Sequence, residues 1–251
     1  MSVYIALPKP VAFLCRHFAG LRKSVARYYV TAATEGCEID RIRFRFDRAV
    51  MDGKRLIAMA SGAIEAEEVA IARRHLTSND RIVEFGMGMG IAAAMVNRAC
   101  RPQSHDCFEA NAAIIHYARD LFASNGLDIR IHEAALGDGS ERPFFVVEDY
   151  ILSSFDEPKD RTDYRQAIVP TIRIQDVIGT LRPTAIFCDI EGAELMFLDP
   201  AALEGISKVV VELHPDIYGH QRMAGYIEDF RKAGFDKVET AGTTCFFRRA
   251  A

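Results

Sequence analysis

No two of the six cysteines, Cys15, Cys37, Cys100, Cys107, Cys188 and Cys245, form a C-x-x-C pair, and they are scattered along the chain. That spacing argues against both a disulfide framework and a cysteine-based zinc site; it is the pattern of reduced thiols, from which a cytoplasmic location is expected. Long apolar runs are also lacking. Near the N-terminus the stretch 11–15 is interrupted by Arg16 and His17, too soon for a membrane span or a secretory segment. There is no internal repeat and no low-complexity tract. Nor is there a strong excess of one charge: a net charge of −4 over 251 residues gives no reason to expect a nucleic-acid partner for the chain as a whole.

What is present is an ordinary globular composition, 49% hydrophobic and 26% charged, sufficient for one α/β domain with a modest extension. The charge is uneven: through Arg55 the balance is +6, leaving −10 for the remainder. Between residues 10 and 33, Val11, Leu14, Phe18, Leu21, Val25, Tyr28 and Tyr29 recur at three- and four-residue steps, with basic residues between them. This periodicity predicts an amphipathic helix that packs on the domain or on a second copy of the chain, giving a candidate homodimer contact. Ile42, Phe44 and Phe46 alternate with charged residues and are followed by Asp52-Gly53, which predicts a half-buried strand and a turn.

From residue 62 the pattern becomes a regular alternation. Strands are predicted at 81–85, 106–108, 129–133, 185–188, 209–213, 237–240 and 244–248, with helices at 65–76, 90–99, 112–125, 193–198 and 225–233. Short apolar strands alternating with helices imply a mainly parallel sheet covered on both faces, with ligands beyond the carboxyl ends of the strands. The expected division is an extension over residues 1–60 and an α/β, Rossmann-like domain over 61–251. The polar run 153–166 reads as a long loop.

The most informative stretch is Arg81-Ile-Val-Glu84-Phe-Gly86-Met-Gly88-Met-Gly90, an apolar strand that enters three alternating glycines and then a helix. Gly86, Gly88 and Gly90 allow a sharp turn and close approach of a ligand to the backbone, and the helix start offers free N–H groups to a carboxylate. Nineteen residues past Gly90, after a second apolar strand, comes Glu109, suited to accept both hydroxyls of a ribose. The turn also fits a dinucleotide template through Gly88, Gly90 and Ala93. Glu84 favours a cationic ligand instead, because its charge would repel a pyrophosphate.

With these residues in view, the chain resembles the FkbM-type family of methyltransferases from about Gly62 to His214. The resemblance is carried by Gly62-Ala-Ile-Glu65, the glycine turn, Phe108-Glu109-Ala110-Asn111, Ala134-Ala135-Leu136-Gly137-Asp138, Asp189-Ile190-Glu191-Gly192-Ala193-Glu194 and Glu212-Leu213-His214-Pro215. It implies a seven-stranded class I methyltransferase fold, S-adenosylmethionine as cofactor, and O-methylation of a small-molecule or sugar hydroxyl. It also implies that Glu84, Gly86, Gly88 and Gly90 form the methionine-binding turn, that Glu109 holds the ribose, that Ala135 and Leu136 flank the adenine, and that Asp189 lies near the transferred methyl group. Asn111 departs from the family, where a proline is expected.

Asp189, Glu191 and Glu194 follow one predicted strand, and Glu212 and His214 stand at the end of the next, so the candidate catalytic residues Asp189, Glu191, Glu212 and His214 should meet at one rim of the sheet. His214, with an ordinary pKa near 6.5, is a candidate general base. Asp189, Glu212 and His214 are alternatively a candidate site for Mg²⁺. Plainer readings stand beside these: Glu191 as a helix cap, His214 bonded to backbone, Glu65 as a first-turn carboxylate, and Met87, Met89 and Met95 as core filler. Phe144, Phe145, Tyr150, Phe155 and Tyr218 are candidates for an acceptor pocket or for core packing. The enzymatic rival is an NAD(P)-dependent oxidoreductase, against which stand Glu84 and the lack of a Tyr-x-x-x-Lys pair. A non-catalytic nucleotide-binding protein is the third reading.

Overall fold

The computed structural model describes residues 4–6, 24, 35–60, 62–147, 155, 162 and 164–250. Apart from Ser24, the basic helix expected at 10–33, and any dimer contact through it, lies outside the described residues, as does Tyr150.

Three strands form the lead-in. Strand β1 (Tyr4–Ala6) pairs in parallel with β2 (Gly36–Ile39), which pairs antiparallel with β3 (Ile42–Arg45). Asp40 and Arg41, both at positive φ, make the hairpin turn, so the turn precedes the Ile42–Phe46 strand. Asp52-Gly53, expected to be a turn, instead opens helix α1 (Gly53–Ala60), and the Asp52 carboxylate accepts the Arg55 N–H at 2.8 Å. An Asp before a helix satisfies an N–H with no partner within the helix, a role that its turn propensity hides in sequence.

Next come α2 (Ala66–His75), β4 (Arg81–Phe85), α3 (Ile91–Cys100), β5 (Ser104–Glu109), α4 (Ala112–Ser124), β6 (Arg130–Glu133) and the two-residue β7 (Ala135–Leu136). Then follow β8 (Glu141–Val147), β9 (Tyr164–Ile172), α5 (Ile174–Leu181), β10 (Ala185–Cys188), α6 (Glu194–Phe197) and a 3₁₀ turn at Pro200–Ala202. The chain closes with β11 (Lys208–Glu212), α7 (Pro215–Tyr218), α8 (His220–Lys232), β12 (Phe235–Ala241) and β13 (Thr244–Arg249).

Seven strands form the central sheet in the order β12-β13-β11-β10-β4-β5-β6. The pairs from β11 to β6 are parallel, and β13 runs antiparallel to both its neighbours. Alternation along each strand divides the core. Ile82, Cys107, Phe187, Val210 and Phe246 pack against α2, α3 and α4, joined by Ile42, Phe44, Leu56 and Met59 from the lead-in. Val83, Phe85, Ile186, Val209, Val211 and Phe247 pack on the other side with Val177 of α5 and Phe230 of α8. Met87, Met89 and Met95 are buried in the first cluster, as filler.

The run 153–166 was expected to be a loop, yet Tyr164 to Gln166 begin the nine-residue β9, which pairs antiparallel with β8 and in parallel with β7. Arg165, Gln166 and Ile168 all lie on exposed positions of β9, which removes the usual apolar alternation; the strand is set by its distant partner. Among the described residues no helix is long and apolar enough to cross a membrane.

Candidate functional site

The two central strands, β4 and β10, end side by side, with β5 and β11 flanking them. Beyond those ends lies a cavity of about 370 Å³, within the range of ~300–1,000 Å³ usual for small-ligand sites. The residues around it come from widely separated stretches: Ile64, Glu65 and Glu68 around the start of α2, the glycine turn, the end of β5, Ile114 of α4, β7, Phe144 of β8, Phe155, the turn after β10, and the end of β11.

The glycine turn does what its spacing suggests, with the work divided. Gly86, Gly88 and Gly90 all have positive φ. Gly86 and Gly88 line the cavity, whereas Gly90 does not. A Cβ on Gly90 would fall 2.6 Å from the ring of Phe122, so this glycine allows α3 to pack on α4 rather than a ligand to approach. Nor is the start of α3 wholly free for a ligand: the Ala92 N–H is donated to Glu65 at 2.5 Å. Glu65 is not in the first turn of a helix, as its position in sequence suggested, but sits at φ 49° before α2 and turns its carboxylate to the cavity. Burial, with the nearby charges of Glu68 and Glu84, pushes it up to about 8.

Glu84 is among the residues expected to touch a ligand, but it is absent from the cavity lining described above. Its side chain leaves β4 on the face that holds Ile82 and Cys107, and its carboxylate meets Nε2 of buried His105 at 3.0 Å. Glu84, His105 and Cys107 bring potential ligand atoms within 4.8 Å of one another in the core, already joined by that contact.

Glu109 ends β5 and is buried at the cavity edge. Its two oxygens accept the backbone N–H groups of Gly88 and Asn111, each at 2.7 Å. Burial pushes its pKa up to about 7, against the lowering effect of those N–H bonds. Asn111, in the place of the expected proline, caps α4 by accepting the Ala113 N–H at 3.1 Å. Ala135 and Leu136 line the apolar side, with Phe108, Ile114, Phe144 and Phe155. Of the other aromatic candidates, Phe145 packs edge-on to Tyr164, and Tyr218 Oη accepts the His214 N–H at 2.5 Å.

Beside the glycine turn stand the turn after β10 and the end of β11. Asp189, Glu191, Glu212 and His214 meet there, as their positions after adjacent strands predicted. His214 Nε2 is 3.7 Å from Asp189 Oδ1 and 3.4 Å from Glu191 Oε2, and its Nδ1 is 3.1 Å from Glu194 Oε1. Glu212 accepts from Thr243 Oγ1 at 2.9 Å. Asp189, Glu212 and His214 place ligand atoms within 4.8 Å of one another. Glu191 is not the cap of α6: it sits at φ 52° in the turn, and Ala193 holds the cap position.

Electrostatics change the reading of His214. Burial opposes its charge, but the contacts with Glu191 and Glu194 and the nearby Asp189 outweigh that, raising the imidazole from 6.5 to about 11. The surrounding carboxylates therefore favour the charged imidazole well beyond the range of a free histidine. Burial, Glu191 and Glu212 push the Asp189 carboxyl well above the usual range. Sequence reasoning missed Glu68, which lines the cavity beside Glu65, one helical turn on from it; that i, i+3 spacing was the available signal.

The order of the seven strands, one of them reversed, and a ligand cavity over the glycine turn define a class I methyltransferase fold. Residues 93–237 match the Methyltransferase FkbM domain, and the chain belongs to that family. Among solved structures it is similar to methyltransferase FkbM from Methylobacillus flagellatus KT, with 15% identity, 91% of this chain and 59% of that chain covered, and a TM-score of 0.45. It is also similar to a methyltransferase from Pyrococcus furiosus (11% identity, 93% and 98% covered, TM-score 0.49). A third similar structure is M. jannaschii TYW2 in complex with AdoMet (14% identity, 85% of each chain, TM-score 0.48). No match is found among curated proteins.

Proposed function

We propose that this methyltransferase transfers a methyl group from S-adenosylmethionine to a hydroxyl of a small molecule or sugar. One observation carries the reading: a single cavity is lined both by the Glu109 carboxylate and the backbone of Gly86 and Gly88 and by Asp189, Glu212 and His214. The residues present fit the cofactor. Glu109 is a carboxylate placed for a ribose diol, Ala135 and Leu136 give an apolar wall for a base, and the positive-φ glycines leave room beside the turn. When bound, the cofactor supplies an electrophilic methyl group on a sulfonium.

The chain's own task is to hold the acceptor oxygen in line and to take its proton, so positioning dominates the acceleration. Asp189 is the proton acceptor in this reading. Its Oδ1 is buried without a hydrogen-bond partner among the described residues, and its raised pKa makes it a stronger base than a free aspartate. His214 supplies the compensating positive charge beside it, and Glu191 and Glu212 orient the acceptor.

The test is calorimetric titration with S-adenosylhomocysteine, with NAD(H) and NADP(H) as comparators, followed by transfer of labelled methyl to a panel of hydroxylated acceptors. Binding of S-adenosylhomocysteine, with Asp189→Asn lowering turnover ~100-fold or more at unchanged cofactor affinity, supports the proposal. Binding of a nicotinamide cofactor alone favours the oxidoreductase reading; cofactor binding without transfer to any acceptor favours a non-catalytic role.

A further inference from the structure

The last residue of the Asp189–Glu194 motif has no part in the reaction described above, yet it is the most deeply buried carboxylate of the cluster. Glu194 opens α6 and is 0% exposed. A buried carboxylate is costly to retain unless its oxygens are satisfied. Here a single oxygen makes three contacts. Oε1 accepts the Ile190 N–H at 3.3 Å and the Gly192 N–H at 3.0 Å, and it faces His214 Nδ1 at 3.1 Å. Oε2 is buried without a partner among the described residues.

These contacts tie together two strand ends. The turn 190–192 follows β10 and contains Glu191 at φ 52° and Gly192 at φ 98°, left-handed conformations that L side chains adopt only where neighbours hold them. His214 follows β11. With Nδ1 fixed on Glu194, the ring's other nitrogen is aimed at Asp189 and Glu191, because the bond made by one imidazole nitrogen sets what the other presents. His214 is held from the backbone side as well, through its N–H to Tyr218 Oη.

We infer that Glu194 is a positioning residue of the methyl-transfer site: its carboxylate clamps the turn after β10 and orients His214, so that Nε2 faces Asp189 at the cavity. The inference rests on the proposed function for its consequence in turnover, but not for the geometry itself.

A plain turn cap and a positioning residue respond differently to Glu194→Gln. The amide oxygen can still accept the two backbone N–H groups, while the anionic partner of His214 is lost. The experiment reads the histidine ring ¹H and ¹⁵N resonances of the full-length protein, with His214 assigned by the signals missing in His214→Asn. It needs no acceptor, so its failure is distinguishable from failure of the methyltransferase assignment. The expected result is a downfield Nδ1–H signal for His214 in the unmodified protein that Glu194→Gln shifts or removes. Where an acceptor is turned over, kcat falls by about 10–100-fold with KM within about twofold.

An unchanged ring signal and unchanged kcat in Glu194→Gln overturn the inference. So does the absence of an Nδ1–H signal from His214 in the unmodified protein, which decides the matter even if Glu194→Gln does not fold.

Discussion

A Cβ placed on Gly86 falls 1.5 Å from the carbonyl oxygen of Asp189, so the glycine turn after β4 and the acidic turn after β10 are packed backbone to backbone. Gly86 also has φ +79°, a conformation that disfavours any L side chain. The glycine turn and the Asp189 turn are therefore held at a fixed separation by one missing side chain.

From that contact, Gly86→Ala should displace the Asp189 turn rather than relax locally, since the obstructing atom is backbone. Thermal unfolding should show a loss of roughly 2 kcal/mol or more, and S-adenosylhomocysteine affinity should fall with it. A variant of wild-type stability and affinity would show that the two turns move apart freely.

Glu109 gives a prediction in pH. Its pKa in the fold is pushed from 4.5 to about 7, so its contribution to stability is full below about 4.5 and is lost as pH rises through 7. The ligand-free protein should melt at lower temperature at pH 8 than at pH 5, and Glu109→Gln should flatten that slope. Affinity for S-adenosylhomocysteine should move the other way, rising towards pH 8 as the carboxylate forms. In Glu109→Ala it should weaken by about 10–100-fold, the value of hydrogen bonds to a charged acceptor. Calorimetry across this pH range tests both signs.

Metal removal separates the two readings of Asp189, Glu212 and His214. Mg²⁺ takes oxygen ligands, and His214 Nδ1 already faces Glu194 at 3.1 Å. EDTA should leave turnover unchanged. Loss of activity on chelation, restored by Mg²⁺, would assign the compensating charge to a metal instead.

Much of this architecture was legible in the residues. The parallel strands announce themselves because they are buried on both faces and read as continuous apolar runs; the stretch 185–188 was bounded correctly, and β4 with its glycines was recognisable at once. Adjacent strand ends also brought Asp189, Glu191, Glu212 and His214 together, as their positions at the ends of β10 and β11 required.

Less visible was anything set by distant partners. β9 carries polar and exposed residues and is a strand because β8 pairs with it across a long connection. Gly86 and Gly90 look alike in sequence, but one faces the Asp189 carbonyl and the other the Phe122 ring. Whether Glu84 or Glu65 reaches the cavity depends on which face of β4 a side chain leaves by and on a left-handed residue before α2.

Sequence alone thus determined the fold class, the glycine turn and the set of acidic groups at the strand ends, because period, glycine spacing and motif order are local properties of the chain. Only the tertiary structure decided the charge state of His214. An imidazole's protonation depends on which carboxylates stand around it, and here Asp189, Glu191 and Glu194 are placed there by the turn after a neighbouring strand.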